Sequence, residues 1–459
     1  MTVEYDLVAI GNTAAAVQGA IAASQRRARV ALVMEEPEGI GWQEVGLRPS
    51  QVFARMAIAE NPWAREQPLA DAAGKVDALA DAQLPSVLAM YGVDCILGRG
   101  RFCRLPELGF EVAGRRLRSR SYLLAPATHT QIPAIEGLEA TQYFTCETVW
   151  QLTEGVFTQR LAIVGGDPSG IEVAQALARR GVEVTIAVSS DRLLPGEEPE
   201  IAHYFQASLE AAGIRVLTQM PVSQVKQIQG QLWVQAGDRA WETDAIYLAT
   251  GQQADLHGLQ LETIGVKYQR HLHLNRRLQT TNPRIYGCRG ELGGYPHPQI
   301  ACYEADIAIR NALSLPLVRT NYRAIPWVVG TDLQFATVGM SQAQAQQRYG
   351  NRAIAHCQIL PARHQVQRMP SIPGKGKLIL RRDGRLLGAH LTGTATGEMI
   401  HILAMAIQQG MTLRAIASLV PASNTFAELY RAVGEASAQY PIPPGSWIQA
   451  IWASMVRLW

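Results

Sequence analysis

The chain has 459 residues, of which 47% are hydrophobic and 18% charged, with a formal net charge of +3. Its length exceeds what one hydrophobic core serves and predicts about three domains, and its balance excludes a disordered or fibrous chain. So weak a positive charge, without a long Lys/Arg run, argues against nucleic acid as a partner, and no apolar run reaches the roughly 18 residues of a membrane span.

The opening "MTVEYDLVAIGN" enters a strand pattern at once and leaves no room for a secretory signal, so a cytoplasmic protein is expected. Residues 4–35 read as strand, tight turn at Gly11, Ala-rich helix and second buried strand, which is a βαβ unit. Its fingerprint is Gly11, Thr13, Ala16, followed by Glu35, although strict spacing places Met34 where the acid belongs. The first glycine permits the turn, and the helix N-terminus offers N–H groups to a pyrophosphate. Thr13 brings a side chain to the point of closest approach, where its hydroxyl is a candidate donor to phosphate.

The stretch "GIGWQEVGLRPSQ" follows at 39–51. A second βαβ unit starts at residue 160, with Gly165, Asp167 and Gly170 in its turn. A carboxylate facing a pyrophosphate repels it by on the order of several kcal/mol at intermediate dielectric. The second strand runs on into Val188–Ser190, with neither an acid for a ribose hydroxyl nor an Arg for a 2′-phosphate. "YLATG" at 247–251, ending in Gly251, and "RIYGCRGELGG" at 284–294 come next. From about 325 the pattern becomes mixed α+β, with an Asp383-Gly384 hairpin signal and an amphipathic stretch "TGEMIHILAMAIQQG".

The six cysteines, Cys95, Cys103, Cys146, Cys288, Cys302 and Cys357, show no CxxC or metal spacing and read as free buried thiols. His129, His257, His271 and His273 likewise lack ligand spacing, so no metal site is expected. The final "SWIQAIWASMVRLW" has capping-box spacing at Ser446 and Gln449 and a broad apolar face with Trp447, Trp452 and Trp459. Two readings stand for residues 446–459: a terminal helix packed on its own dimer, or an interfacial or docking helix for a membrane surface or protein partner.

In their order, these motifs resemble the class I pyridine nucleotide-disulfide oxidoreductases, such as dihydrolipoamide dehydrogenase, glutathione reductase and mercuric reductase. The resemblance covers about residues 4–440. It implies an α/β fold class with two Rossmann-like three-layer domains, for FAD and NAD(P), plus a C-terminal α+β dimerisation domain. The implied segments are 1–150 and 271–324 for the FAD-binding parts, 151–270 for an NAD(P)-binding-like domain, 325–440 for dimerisation and 441–459 for the Trp-rich tail. It also implies a homodimer through the C-terminal domain. Cofactor positions carried over are Gly11, Thr13, Ala16, Glu35, Gly46, Thr128 and Glu291 for FAD, and Gly165, Gly170 and Gly251 for NAD(P)H.

Where that family reads GGxCxxxGCxPSK, this sequence keeps Gly46, Pro49 and Ser50 but has Trp42 and Leu47 at the two cysteine positions. Neither forms a thiolate or a disulfide. The family's Lys after Pro-Ser, which pairs with the Glu matched by Glu172 near the flavin, is Gln51, leaving Glu172 in need of another partner. The family's catalytic base in H-x-H-P-T-x-x-E is Ser423, and a serine hydroxyl is no general base near neutral pH. The Gly-Asp that binds the ribityl chain is Arg289-Gly290, with Glu291 one place later. The expectation is an FAD-dependent oxidoreductase without a redox disulfide, passing electrons to a quinone, small oxidant or protein. The alternative is a catalytically inactive homologue serving as a binding or assembly dimer.

Overall fold

The computed structural model describes residues 3–35, 50, 86–104, 107–152, 159–269, 271–288, 297–350, 354–359, 374–420 and 430. The chain divides into two compact units, Met1–Ala187 with Pro221–Asn321 and Val188–Met220 with Tyr322–Trp459.

The first unit is built on a five-stranded parallel sheet in the order Ile285–Gly287, Ser119–Leu124, Tyr5–Ile10, Val30–Met34, Asp94–Leu97. Its inner strands are near-continuous apolar runs because both faces are covered. One face packs the helix Ala14–Gln25, which buries Ala15, Ala16, Val17, Ala20 and Ala23 beside Ala301, Ala305 and Ala308 of the helix Pro298–Leu313. Small side chains let those two helices approach each other closely on the sheet. On the other face Phe102, Phe110 and Tyr122 form an edge-to-face cluster with ring centroids 4.9 and 5.4 Å apart.

Glu183–Ala187, Arg160–Val164 and Ala245–Leu248 form a second parallel sheet, the other βαβ unit, carrying the helix Pro168–Ala178. A short antiparallel pair, Thr128–Thr130 with Gln252–Ala254, follows the first sheet's inner strand and the second sheet's last strand. Both strands therefore leave the carboxyl ends of their sheets, where nucleotide ligands sit in folds of this kind.

The second unit is a five-stranded antiparallel sheet in the order Trp327–Val329, Gln334–Gly339, Leu386–Gly393, Lys375–Arg381, Ile354–Ile359. The Asp-Gly signal forms the hairpin: Gly384 has φ +82° and its N–H donates to the Arg381 carbonyl at 2.8 Å. The amphipathic stretch forms the helix Thr396–Gln408, which buries Met399, Ile400, Leu403 and Ala404 against Val338, Leu378 and Leu391. The helix Pro199–Ala211 packs on the strands Lys375–Arg381 and Leu386–Gly393, with Phe205 tilted against Phe335 at 5.5 Å.

Within this unit a lysine is enclosed. Lys377 is 1% exposed and its Nζ donates to Glu198 Oε1 and Glu200 Oε1, each at 2.8 Å. Glu198 Oε2 accepts the Gln342 N–H at 2.9 Å. His390 is also buried, its Nε2 donating to the Met340 carbonyl at 3.0 Å and its Nδ1 accepting from the Thr337 hydroxyl at 2.6 Å. Burial holds the His390 imidazole below its ordinary pKa, partly opposed by the Met340 hydrogen bond and the Glu198 charge.

The cysteines depart from the uniform burial expected of them. Cys146 and Cys288 are buried, Cys103 and Cys302 are half-buried and Cys95 is exposed, because it points outward from the edge strand Asp94–Leu97. Among the described residues no three His, Cys, Asp or Glu side chains gather as a metal site, and no helix is long and apolar enough to cross a membrane.

Candidate functional site

The two βαβ units of the first unit carry glycine turns of the same build. In the first, Gly11 has φ +133°, and a Cβ there would lie 2.0 Å from the Ala125 carbonyl oxygen. In the second, Gly165 has φ +101°, and its Cβ would lie 2.1 Å from the Ala249 carbonyl oxygen. Backbone occupies the space in both cases, so glycine is required on conformational and steric grounds together.

The turns differ in what they leave open. Thr13 is the N-cap of the helix Ala14–Gln25, in extended conformation and 2% exposed. Its Oγ1 donates to the Ala125 carbonyl at 2.9 Å and accepts the Ala16 N–H at 3.3 Å. The expectation of a hydroxyl offered to phosphate is thus corrected: the side chain turns inward, where extended backbone geometry fits threonine as well as glycine. Ala16 is fully buried against the sheet. The N–H groups of Ala14 and Ala15, at the first two helical positions, have no acceptor behind them in the helix.

In the second turn Asp167 takes the N-cap place. Its Oδ1 accepts both the Ser169 N–H at 2.9 Å and the Ser169 hydroxyl at 2.6 Å. Pro168, at the first helical position, has no N–H to offer. The Gly170 N–H goes to the Asp167 carbonyl at 2.9 Å. The donors that the first turn leaves open are here absent or already paired. Gly170 itself is fixed by packing, since a Cβ would meet the Ala249 Cβ at 2.4 Å.

At the end of the strand Val30–Met34, Met34 turns into the core at 7% exposure, and Glu35 is the residue that reaches solvent. Asn12 locks it there: Asn12 Nδ2 donates to the Glu35 carbonyl and the Glu35 N–H donates to Asn12 Oδ1, both at 2.7 Å. The Glu35 carboxylate pairs with Arg99 at 3.1 Å across an open cavity of about 610 Å³ that also meets Arg101, Asp255 and His257. Both partners are well exposed, so the pair adds little stability and leaves the carboxylate available to a ligand.

Between the two βαβ units the polar side chains are knitted together. Glu147 accepts from the Thr130 N–H at 3.0 Å, the Thr130 hydroxyl at 2.8 Å and Gln252 Nε2 at 3.2 Å. The Thr128 hydroxyl donates to Gln252 Oε1 at 2.5 Å, and the Gly251 carbonyl accepts the Gln131 N–H at 2.9 Å. Thr128 and Gly251 are therefore placed in the connection between the folds. Glu172, on the helix Pro168–Ala178 and fully buried, accepts a hydrogen bond from Ser50 Oγ at 2.7 Å. Ser50 directly follows the Pro49 retained from the "PS" signature, so it supplies a partner where the sequence suggested only the amide of Gln51.

Two parallel βαβ sheets with glycine turns, joined in one chain to a unit built on an antiparallel sheet, define a dinucleotide-dependent oxidoreductase architecture. The chain belongs to the pyridine nucleotide-disulphide oxidoreductase family, matched over residues 5–292, and residues 325–433 match that family's dimerisation domain. It is 28% identical over 448 residues to a mercuric reductase of Staphylococcus aureus, covering 93% of this chain and 81% of that protein. Identity to a mercuric reductase of Streptomyces lividans is 30%, over 92% and 94% of the two chains. A dihydrolipoyl dehydrogenase of Bacillus subtilis (strain 168) is 32% identical over 58% of this chain and 59% of its own. Among solved structures, the Cu(II) complex of the HOCl-induced flavoprotein disulfide reductase RclA from Escherichia coli superposes with a TM-score of 0.82 at 22% identity, over 96% and 100% of the chains.

Members of the family are FAD-binding flavoproteins that use NAD(P)H. The first turn fits the pyrophosphate of FAD: a glycine cradle closed to any Cβ, two open N–H groups and an acid at the second strand's end. The second turn keeps the glycine geometry without the open donors. Trp42, Gly46, Leu47, Gln51, Glu291 and Ser423 lie outside the described residues, as does the tail 446–459. Sequence reasoning missed Asn12, a short polar residue beside a motif position, and it placed Ser50 in the motif without pairing it to Glu172.

Proposed function

We propose that this chain is an FAD-dependent oxidoreductase whose electron acceptor is not a disulfide but a quinone, a small oxidant or another protein. The observation that carries the reading is the pair Trp42 and Leu47 at the two cysteine positions of the family's motif. When bound, FAD supplies the two-electron chemistry. Gly11, Ala14 and Ala15 hold its pyrophosphate, Glu35 takes a ribose hydroxyl, and the retained Glu172 is paired with Ser50 in place of the family's lysine. Trp42 and Leu47 offer no thiol at the two cysteine positions of the motif. Ser423 supplies no general base, which suits an acceptor that needs none from this chain. The working protein is a cytoplasmic homodimer through residues 325–440, with the tail 446–459 as its contact to a membrane surface or partner.

The test is anaerobic. Purified protein is reduced with dithionite and mixed with a water-soluble benzoquinone or with oxidised lipoamide and glutathione disulfide. Rapid return of the flavin absorbance with the quinone alone is expected. Reoxidation by either disulfide at a comparable rate would sink the proposal. The pairing of Asp167 with Ser169 favours a second reading, a catalytically inactive dimer; purification with stoichiometric, reducible FAD argues against it.

A further inference from the structure

We propose that Asp167 sets this chain's affinity for pyridine nucleotide by holding its own carboxylate at the place a dinucleotide pyrophosphate would occupy. The two turns within the first unit supply the comparison. They share the positive-φ glycine, the carbonyl packed against it and the capping position, so they differ only in chemistry.

In the first turn the capping side chain, Thr13, is neutral and turned to the interior, and the N–H groups at the first two helical positions stay open. In the second, the corresponding positions are Pro168, without an N–H, and Ser169, whose N–H and hydroxyl both donate to Asp167 Oδ1. The next donor, Gly170, serves the Asp167 carbonyl. A helix N-terminus attracts one anion through its N–H groups and its partial positive charge. Here that anion is the chain's own. An incoming pyrophosphate finds no unpaired donor in the first turn of the helix, and it meets a negative charge at van der Waals range.

The three residues that directly follow the second strand, Val188, Ser189 and Ser190, are neither an acid for a ribose hydroxyl nor a guanidinium for a 2′-phosphate, and the Asp191 and Arg192 that come next pair with each other. Weakened nucleotide binding follows from two features of the turn itself: a missing N–H and an internal anion. Of these, the internal anion is the one a single substitution removes. Asp167→Gly restores the glycine of the pattern, and Asp167→Asn keeps the shape and the cap while removing the charge.

The experiment is calorimetric titration of the purified, FAD-loaded protein with NADH and with NADPH, at low salt and at 0.15 M, for the wild type and both variants. Each freed charge-assisted contact is worth about 10- to 100-fold in affinity. Asp167→Gly is therefore expected to bind at least one of the two nucleotides tenfold or more tightly than the wild type. An equal gain in Asp167→Asn assigns the effect to charge; a gain confined to Asp167→Gly assigns it to the space the side chain fills. Either supports the proposal. Affinities within twofold of wild type in both variants overturn it, as does micromolar binding by the wild type itself. The readout is binding rather than turnover, so it is decided separately from the identity of the electron acceptor.

Discussion

Gly11→Ala and Gly165→Ala make a matched pair, because the two sites share geometry and differ in the ligand each is expected to hold. At either position the new Cβ lands about 2 Å from a backbone carbonyl oxygen, at 2.0 Å from Ala125 and 2.1 Å from Ala249. Backbone cannot swing aside as a long side chain can. A non-glycine residue at such positive φ costs roughly 1–3 kcal/mol, and overpacking against a fixed neighbour adds about 1–3 kcal/mol. Each substitution should therefore cost about 2–6 kcal/mol, which lowers Tm by roughly 4–24 °C in a domain of this size. Only Gly11→Ala also lies beside Ala14 and Ala15, the donors proposed to hold the FAD pyrophosphate. The assay is thermal unfolding by circular dichroism together with FAD released per chain. The expected result is a similar fall in Tm for both variants, with FAD retained in Gly165→Ala and its Kd raised about tenfold or more in Gly11→Ala, the weakening that about 1.4 kcal/mol of lost binding energy produces, so that FAD content falls in that variant alone. Equal FAD loss in the two variants would refute the assignment, since flavin release would then track instability rather than the first turn.

Lys377→Met strands the Glu198 carboxylate, only 4% exposed, without its cation, and should destabilise the second unit by about 3–5 kcal/mol. Hydrogen exchange of the strand Lys375–Arg381 would register this as a loss of protection; the double variant Lys377→Met/Glu198→Gln should recover much of it, and a single variant that exchanges like wild type contradicts the buried pair. His390 is held neutral by burial, so its folded pKa lies below the unfolded value of about 6.5. As pH falls below that value the unfolded chain binds a proton the folded one refuses, and stability falls with it. Comparing Tm from pH 8 to pH 5, His390→Gln should show a shallower decline than wild type, and parallel curves would count against the burial argument. Ser50→Ala removes a donor from the fully buried Glu172 and should cost about 1–3 kcal/mol in urea unfolding, with an unchanged midpoint as the contrary result.

How far the sequence could be read depended on whether a residue's role is local. Gly11, Gly165 and Gly170 announce a turn by spacing alone, and the Asp383-Gly384 hairpin is fixed by two adjacent residues, so these were legible. Glu35 was ambiguous against Met34 by counting. The structure separates them through burial, because a strand-end methionine goes to the core while the acid, clamped by Asn12, is left at the edge. Thr13 and Asp167 occupy the same place in their motifs, and sequence counts each only as a departure from glycine. What distinguishes them is where a side-chain oxygen goes: Thr13 reaches Ala125, 112 residues away, whereas Asp167 folds onto Ser169 two residues on. The first kind of contact depends on sheet order, which single-sequence periodicity does not encode. The enclosure of Lys377 by Glu198 and Glu200 has the same character, with partners 179 and 177 residues apart. With Lys375 and Arg381 on the same strand, nothing in the sequence marks Lys377 as the cation that is enclosed, whereas the carboxylate in a phosphate turn is a visible conflict of the kind that marks where tertiary chemistry overrides local preference. By that argument the proposal for Asp167 reaches function by a different route from the one for Trp42 and Leu47: those two residues bear on the proposed electron acceptor, while Asp167 bears on which reductant the fold accepts.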